Sequence, residues 1–211
     1  MKPHEIEHLS FEIIENEAGP HSFSPAEWSI VRRMIHTSAD FEYLASIRFH
    51  KDAIRKGIEA IRSGKNVITD TEMARAGMRK TSIAAFGGQV ICRIGEERVA
   101  DASRKNGTTR SHEAVDFSLE EMDGGIYAIG NAPTALLRLM ELIKQNRARP
   151  ALVLGFPVGF VNASESKAML NELDFPHITN VGRKGGSNIA ASVVNALVIL
   201  AEAGQYDKQD K

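Results

Sequence analysis

One cysteine in 211 residues, Cys92, leaves the chain unable to form an internal disulfide, which suits a reducing compartment. Its setting in the apolar run Val90-Ile91-Cys92 reads as a buried strand position rather than as a nucleophile. Charge of either sign is not in excess. Lys plus Arg total 26 against 27 for Asp plus Glu, so no basic field exists to hold nucleic acid or an anionic membrane, and any anion recognition has to be local. Long apolar runs are missing as well. The start, Met1-Lys2-Pro3-His4-Glu5, has no apolar signal region, and the longest apolar stretch near the C-terminus is broken by Asn195, so the expectation is a soluble, cytoplasmic protein. The seven histidines, at 4, 8, 21, 36, 50, 112 and 177, show no paired zinc spacing, and no cysteine pair assists them, so no resident metal is expected. There is no Gly-x-Ser-x-Gly elbow and no Walker loop, and the glycines miss the dinucleotide spacing.

What is present is a regular alternation of β-rich and helical stretches from about residue 64 onward, the pattern of βαβ units in a mostly parallel sheet. Strands are expected at Asn66–Thr69, Gln89–Ile94, Gly125–Ile129, Ala151–Leu154 and His177–Val181. Helices are expected at Thr71–Met78, Thr109–Met122, Pro133–Gln145, Ser164–Leu173 and Ser187–Ala203. The fold class is therefore α/β: one domain over residues 1–211, three layers, about five strands. Residues 1–63 read as a helical part covering the sheet, with helices at Pro25–His36 and His50–Ser63 and a short apolar run at Phe11–Ile14 before them. Residues 205–211 read as a disordered tail. The apolar face Ile189, Val193, Val194, Leu197 and Leu200 fits either core packing or a subunit contact.

Ligands of open parallel sheets bind beyond the carboxyl ends of the strands. The segments there are Asp70-Thr71-Glu72-Met73, Gly130-Asn131-Ala132-Pro133-Thr134, Gly155-Phe156-Pro157-Val158-Gly159-Phe160 and Gly182-Arg183-Lys184-Gly185-Gly186-Ser187-Asn188. Three of the four combine glycine with a helix start, which offers bare backbone N–H groups to an anion and lets a bulky ligand come close. Each loop alone also fits a plain turn, with Asp70, Thr71 or Asn131 as a helix cap. Thr108-Thr109-Arg110-Ser111-His112 adds a guanidinium and hydroxyls suited to a carboxylate, or simply an exposed helix start. His36, after the basic pair Arg32-Arg33, is the side chain best placed to exchange a proton near neutral pH, the alternative being a surface histidine. These residues define a pocket for a large polyanion with one acid/base candidate.

Six segments taken together resemble the precorrin-8X methylmutase family of cobalamin biosynthesis, including its cobalt-precorrin-8 branch. They are Arg33-Met34-Ile35-His36, Asp70-Thr71-Glu72-Met73, Gly130 to Leu136, Gly155 to Val161, Ala163-Ser164-Glu165-Ser166-Lys167 and Gly182 to Ser187, in order along a resemblance that runs from about Ser10 to Leu197. The resemblance implies a flavodoxin-like, homodimeric isomerase that moves a methyl group from C11 to C12 of a corrinoid ring, giving hydrogenobyrinic acid or, with cobalt in the ring, cobyrinic acid. It implies that His36 is the acid/base group and that Ser10 and Arg33 bind substrate. Thr71, Arg110, Asn131, Gly155, Pro157, Gly159, Arg183, Gly185, Gly186 and Ser187 complete the expected substrate site. No cofactor is implied, and cobalt, where present, belongs to the substrate. The Thr37-Ser38-Ala39-Asp40 segment leans towards the cobalt branch. The next enzyme of the pathway is the implied partner for handover of product. The rival readings are a non-catalytic tetrapyrrole- or anion-binding module, which would not need His36, and a hydrolase or phosphatase, which would need a nucleophile or metal site.

Overall fold

A computed structural model describes residues 2–204. In chain order the elements are α1 (Pro3–Ala18), α2 (Pro25–Ser38), α3 (Tyr43–Ser46), β1 (Ile47–Phe49), α4 (Ala53–Arg62), β2 (Val67–Thr69), α5 (Glu72–Gly77), α6 (Lys80–Ala85), β3 (Val90–Cys92), α7 (Glu97–Asn106), α8 (Arg110–Asp116), β4 (Ile126–Ile129), α9 (Pro133–Lys144), β5 (Leu152–Gly155), α10 (Ala163–Asn171), β6 (His177–Asn180) and α11 (Ser187–Ala203). The tail expected to be disordered lies outside the described residues.

The strands lie in the order β1-β6-β5-β4-β2-β3. The five expected strands are all parallel. Counted from β2, their spatial order is 2-1-3-4-5, the flavodoxin-like order, and the chain reverses direction across the sheet between β2 and β4. The expected five-stranded sheet gains a sixth strand. β1 pairs antiparallel with β6, Ile47 opposite Asn180 and Phe49 opposite Ile178.

The central strands are buried on both faces, which makes them read as short continuous apolar runs. Pleating sends Ile126, Ala128, Leu152 and Leu154 to one face, under α4 and α11, and Tyr127, Ile129 and Val153 to the other, under α8, α9 and α10. Of the N-terminal part, α4 packs on the sheet directly, whereas α2 lies mainly against α11 and carries α1. Ile189, Val193, Val194 and Leu197 are fully buried in the first core and Leu200 packs against it, so that face of α11 is core rather than subunit contact. Asn195, the polar break in this helix, holds the α5–α6 turn: it accepts from Arg79 N at 2.8 Å and donates to Gly77 O at 2.9 Å.

Candidate active site

The end of α2 places the imidazole. Ser24 caps the helix through a reciprocal box with Glu27, Pro25 occupies its first turn, and Trp28, Val31, Met34 and Ile35 bury the inner face. Arg32, Arg33 and His36 are left on the opposite side, towards α1. Phe11 of α1 sits among them, its ring 4.5 Å from the Arg32 guanidinium, 5.4 Å from that of Arg33 and 5.1 Å from the His36 ring. Trp28 Nε1 donating to Glu15 Oε2 at 2.7 Å fixes the two helices together. His36 is exposed and takes no side-chain hydrogen bond among the described residues. Ser10 lies beside Phe11 and donates to Ile6 O of its own helix at 2.8 Å. Arg33 is partly committed, its Nη2 standing 3.3 Å from Glu7 Oε1.

The second group of candidates gathers at the switch point. Asp70, read from the sequence as part of a candidate ligand loop or as a local cap, closes β2 with a carboxylate that spans two strands: Oδ1 accepts from Gly130 N at 2.9 Å, and Oδ2 accepts from Asn131 N at 2.9 Å and Ala132 N at 2.8 Å. The group is 2% exposed, and burial pushes its carboxyl above the ordinary carboxylate range against the pull of those three N–H donors. Thr71 caps α5, accepting from Ala74 N at 3.1 Å, and shares a hydrogen bond of 2.7 Å with Ser187 at the start of α11. Gly130 permits that closeness, since a Cβ there would lie 2.6 Å from Ser187 Cα. Thr109 and Thr134 hydroxyls meet at 2.9 Å, which brings Arg110, at the start of α8, to the same end of the sheet as α9.

The loops after β5 and β6 are tied to each other. Gly186 N donates to Phe156 O at 2.9 Å and Gly159 N donates to Arg183 O at 3.2 Å. At Gly185 a Cβ would collide with Phe156 O. Gly155 and Pro157 are buried, and the end of β5 at Gly155 packs on Leu170 of α10, so their contribution is to shape the loop from beneath. Lys184 turns away from the other loops to pair with Asp40 at 2.6 Å and Glu42 at 2.9 Å, which joins the glycine turn to the segment just past His36. Arg183 lies exposed with its guanidinium 5.5 Å from the Phe160 ring. Neither Arg110 nor Arg183 has an acidic partner among the described residues. Val158, Phe160 and Val161 after β5, Val181 after β6 and Met73 in the first turn of α5 are exposed large apolar side chains, with Phe160 at 82%. The surface is an open apolar shelf set with two free guanidiniums, suited to a broad flat ligand with an acidic periphery.

Elsewhere, a concavity of about 440 Å³ between α7 and α8 is lined by Asn106, His112, Glu113 and Arg138, among others. Its charges are spent internally: Glu113 accepts from Asn106 and Thr108, and Arg138 grips Asp116 with two nitrogens. The Cys92 thiol is partly buried, and burial pushes it up to about 11, away from nucleophilic use.

A family profile for precorrin-8X methylmutase matches residues 5–200. The cobalt-precorrin-8 methylmutase of Priestia megaterium is 49% identical over 204 residues, covering 97% of this chain and 91% of the relative. That of Salmonella typhimurium is 43% identical, covering 94% and 95%. A crystal structure of the precorrin-8x methyl mutase from Thermus thermophilus superposes with a TM-score of 0.88 at 46% identity, covering 95% of this chain and 97% of the other. The chain belongs to the precorrin-8X methylmutase family.

Proposed function

We propose that the protein is the isomerase that moves a methyl group from C11 to C12 of a precorrin-8 macrocycle, with His36 as the acid/base group. The imidazole lends a proton to a ring nitrogen or conjugated imine, which draws electron density through the macrocycle. The methyl group migrates suprafacially, one π bond shifts to compensate, and the proton returns to His36. Nothing is consumed, so the reaction needs no cofactor, and the substrate's conjugated system supplies the electronic pathway. The observation that carries the reading is the exposed, unbonded His36 ring on the same helix-pair face as Ser10 and Arg33, joined through Lys184 to the open apolar shelf. Arg110 and Arg183 are the free partners for peripheral carboxylates. The names of the two curated relatives support a cobalt-containing substrate. The apolar side chains of the shelf are exposed, which supports a second copy of the chain as their cover. No helix among the described residues is long and apolar enough to cross a membrane, and a cytoplasmic setting fits the single unpaired thiol.

The test is turnover of precorrin-8, followed as the visible spectrum changes with the shift in conjugation. His36→Ala and His36→Asn should lower the rate by about 10² or more, the scale of a working general acid, while product affinity stays within about tenfold. Rates within about threefold of the parent would remove His36 from the chemistry. A loss of binding that accounts for all the lost activity would favour the binding-module reading.

A further inference from the structure

Lys167 is buried in α10 at 1% exposure, one of the largest side chains in the protein to be fully enclosed. No carboxylate faces it among the described residues. Its Nζ donates to Lys184 O at 2.5 Å and to Asn180 Oδ1 at 3.3 Å. Asn180 at the end of β6 donates Nδ2 to the same Lys184 carbonyl at 2.9 Å and to Val181 O at 3.2 Å. An ammonium taken out of water without a counter-ion is costly, and burial pushes this one down to about 8. An apolar side chain of the same volume would fill the space without that penalty.

The carbonyl it grips lies in a turn with little stiffness of its own. Gly182, Gly185 and Gly186 all have positive φ, at 88°, 158° and 129°, and only Arg183 and Lys184 separate them. The Lys184 side chain leaves this turn for Asp40 and Glu42, two and four residues past the end of the helix that bears His36. The Gly186 end of the turn opens α11, whose Ser187 meets Thr71.

We propose that Lys167 is a positioning residue of the methyl transfer: by holding the Lys184 carbonyl it fixes the 181–186 turn and, through the Lys184 ion pairs, sets the end of α2 and His36 against the start of α11. This rests on the reading of His36 given above. Lys167 touches no substrate and acts only through the turn. Its contribution is to remove the freedom that three glycines introduce where the ring must be held within a fraction of an ångström.

Four proteins test it: the parent, Lys167→Met, Asp40→Asn and the double variant, each assayed for kcat, KM, product affinity and thermal midpoint. Lys167→Met should keep a thermal midpoint within a few degrees of the parent, because a desolvation penalty disappears along with two hydrogen bonds. Its kcat should fall by about 10- to 100-fold, the scale of a small misplacement of reacting groups, with KM and product affinity moving less than tenfold. Asp40→Asn should lower kcat by a smaller factor, and the double variant should be no slower than Lys167→Met alone, since both act on one connection. Full multiplication of the two factors, or a kcat for Lys167→Met within threefold of the parent, overturns the proposal. A large drop in thermal midpoint with unchanged kcat per folded molecule overturns it too, by assigning Lys167 to stability. If Lys167→Met does not fold, Lys167→Gln, which keeps a donor one bond short of the carbonyl, is judged by the same criteria. An inactive parent, or fully active His36 variants, would bring down the functional reading first. An active parent with inactive His36 variants and an unimpaired Lys167→Met would bring down this inference alone.

Discussion

Replacing Asp70 with asparagine exchanges one oxygen for an amide nitrogen at the point where β2 and β4 separate. The carboxylate now satisfies three backbone donors, Gly130 N through Oδ1 and both Asn131 N and Ala132 N through Oδ2. An amide has a single acceptor atom. In its better orientation it keeps the two bonds to Asn131 and Ala132 and turns its NH₂ towards Gly130 N–H. One hydrogen bond to a charged group is lost, at about 1.5–3 kcal/mol, and a buried donor is left unsatisfied, at about 1–3 kcal/mol. Against this, the variant no longer buries a charge that burial disfavours, which offsets part of the loss. The balance is a destabilisation of about 2 kcal/mol, which in a chain of this size lowers the thermal midpoint by roughly 4–8 °C. Urea unfolding followed by far-UV circular dichroism measures it, with the slope unchanged if only the folded state is affected. A change below about 0.5 kcal/mol would refute the account of Asp70 as the clamp of the switch point. Activity should fall as well, since Gly130, which packs against Ser187 at the start of α11, loses its anchor to the end of β2.

Two further outcomes follow. Light scattering at micromolar concentration should give twice the single-chain 23.1 kDa, because the shelf of Met73, Val158, Phe160, Val161 and Val181 lies open, and a mass near 23.1 kDa would refute the dimer. Lys167 makes a pH-dependent contribution of definite sign: its folded pKa, about 8, lies below the ordinary lysine value, so the unfolded chain binds more protons above pH 8 and the penalty on the fold fades as pH rises towards about 10. The stability of Lys167→Met relative to the parent should therefore be greatest at or below pH 8 and decline by pH 9.5, and a difference independent of pH would show that burial leaves the lysine pKa at its ordinary value.

The parallel core was legible because β2, β4, β5 and β6 are buried on both faces and flanked by strong helix starts. The edge was not. β1 is three residues with arginine at its centre, too short to alternate and lodged between two helices, so its pairing with β6 leaves no local trace. α7 escaped notice for a related reason: Val99 is its only buried residue, so it has no apolar stripe to read. The helix expected over Thr109–Met122 stops at Asp116, because the apolar residues beyond it reach the core from turns, with Met122 fully buried. In the site, the glycine loops announced themselves through composition. Asp70 looked like a local cap because its true partners lie 60 to 62 residues further on. Lys167 sat in a quoted motif without an evident task, since its task is a carbonyl 17 residues downstream. Arg33 pointed to substrate, yet Glu7 shares it.

The division between tied and free groups bears on where rate enhancement arises. Asp70, Thr71, Ser187, Lys167 and Lys184 are consumed by partners within the protein, and they hold the backbone of three loops in one arrangement before any ligand arrives. Arg110, Arg183 and His36 are uncommitted. On the proposed reaction the carboxylates at the edge of the ring are the same before and after the methyl group moves. On that reading Arg110 and Arg183 grip substrate and product alike, which lowers KM and slows product release without lowering the barrier. Only a contact that changes between ground state and transition state accelerates the step. On the same reading His36 is the group among these three whose proton moves during the reaction, and its usefulness depends on being held at the right atom of the ring. If the turn with three positive-φ glycines that joins it to the shelf is held by Lys167 as proposed, the rate rests on the residues that immobilise that turn as much as on the imidazole itself.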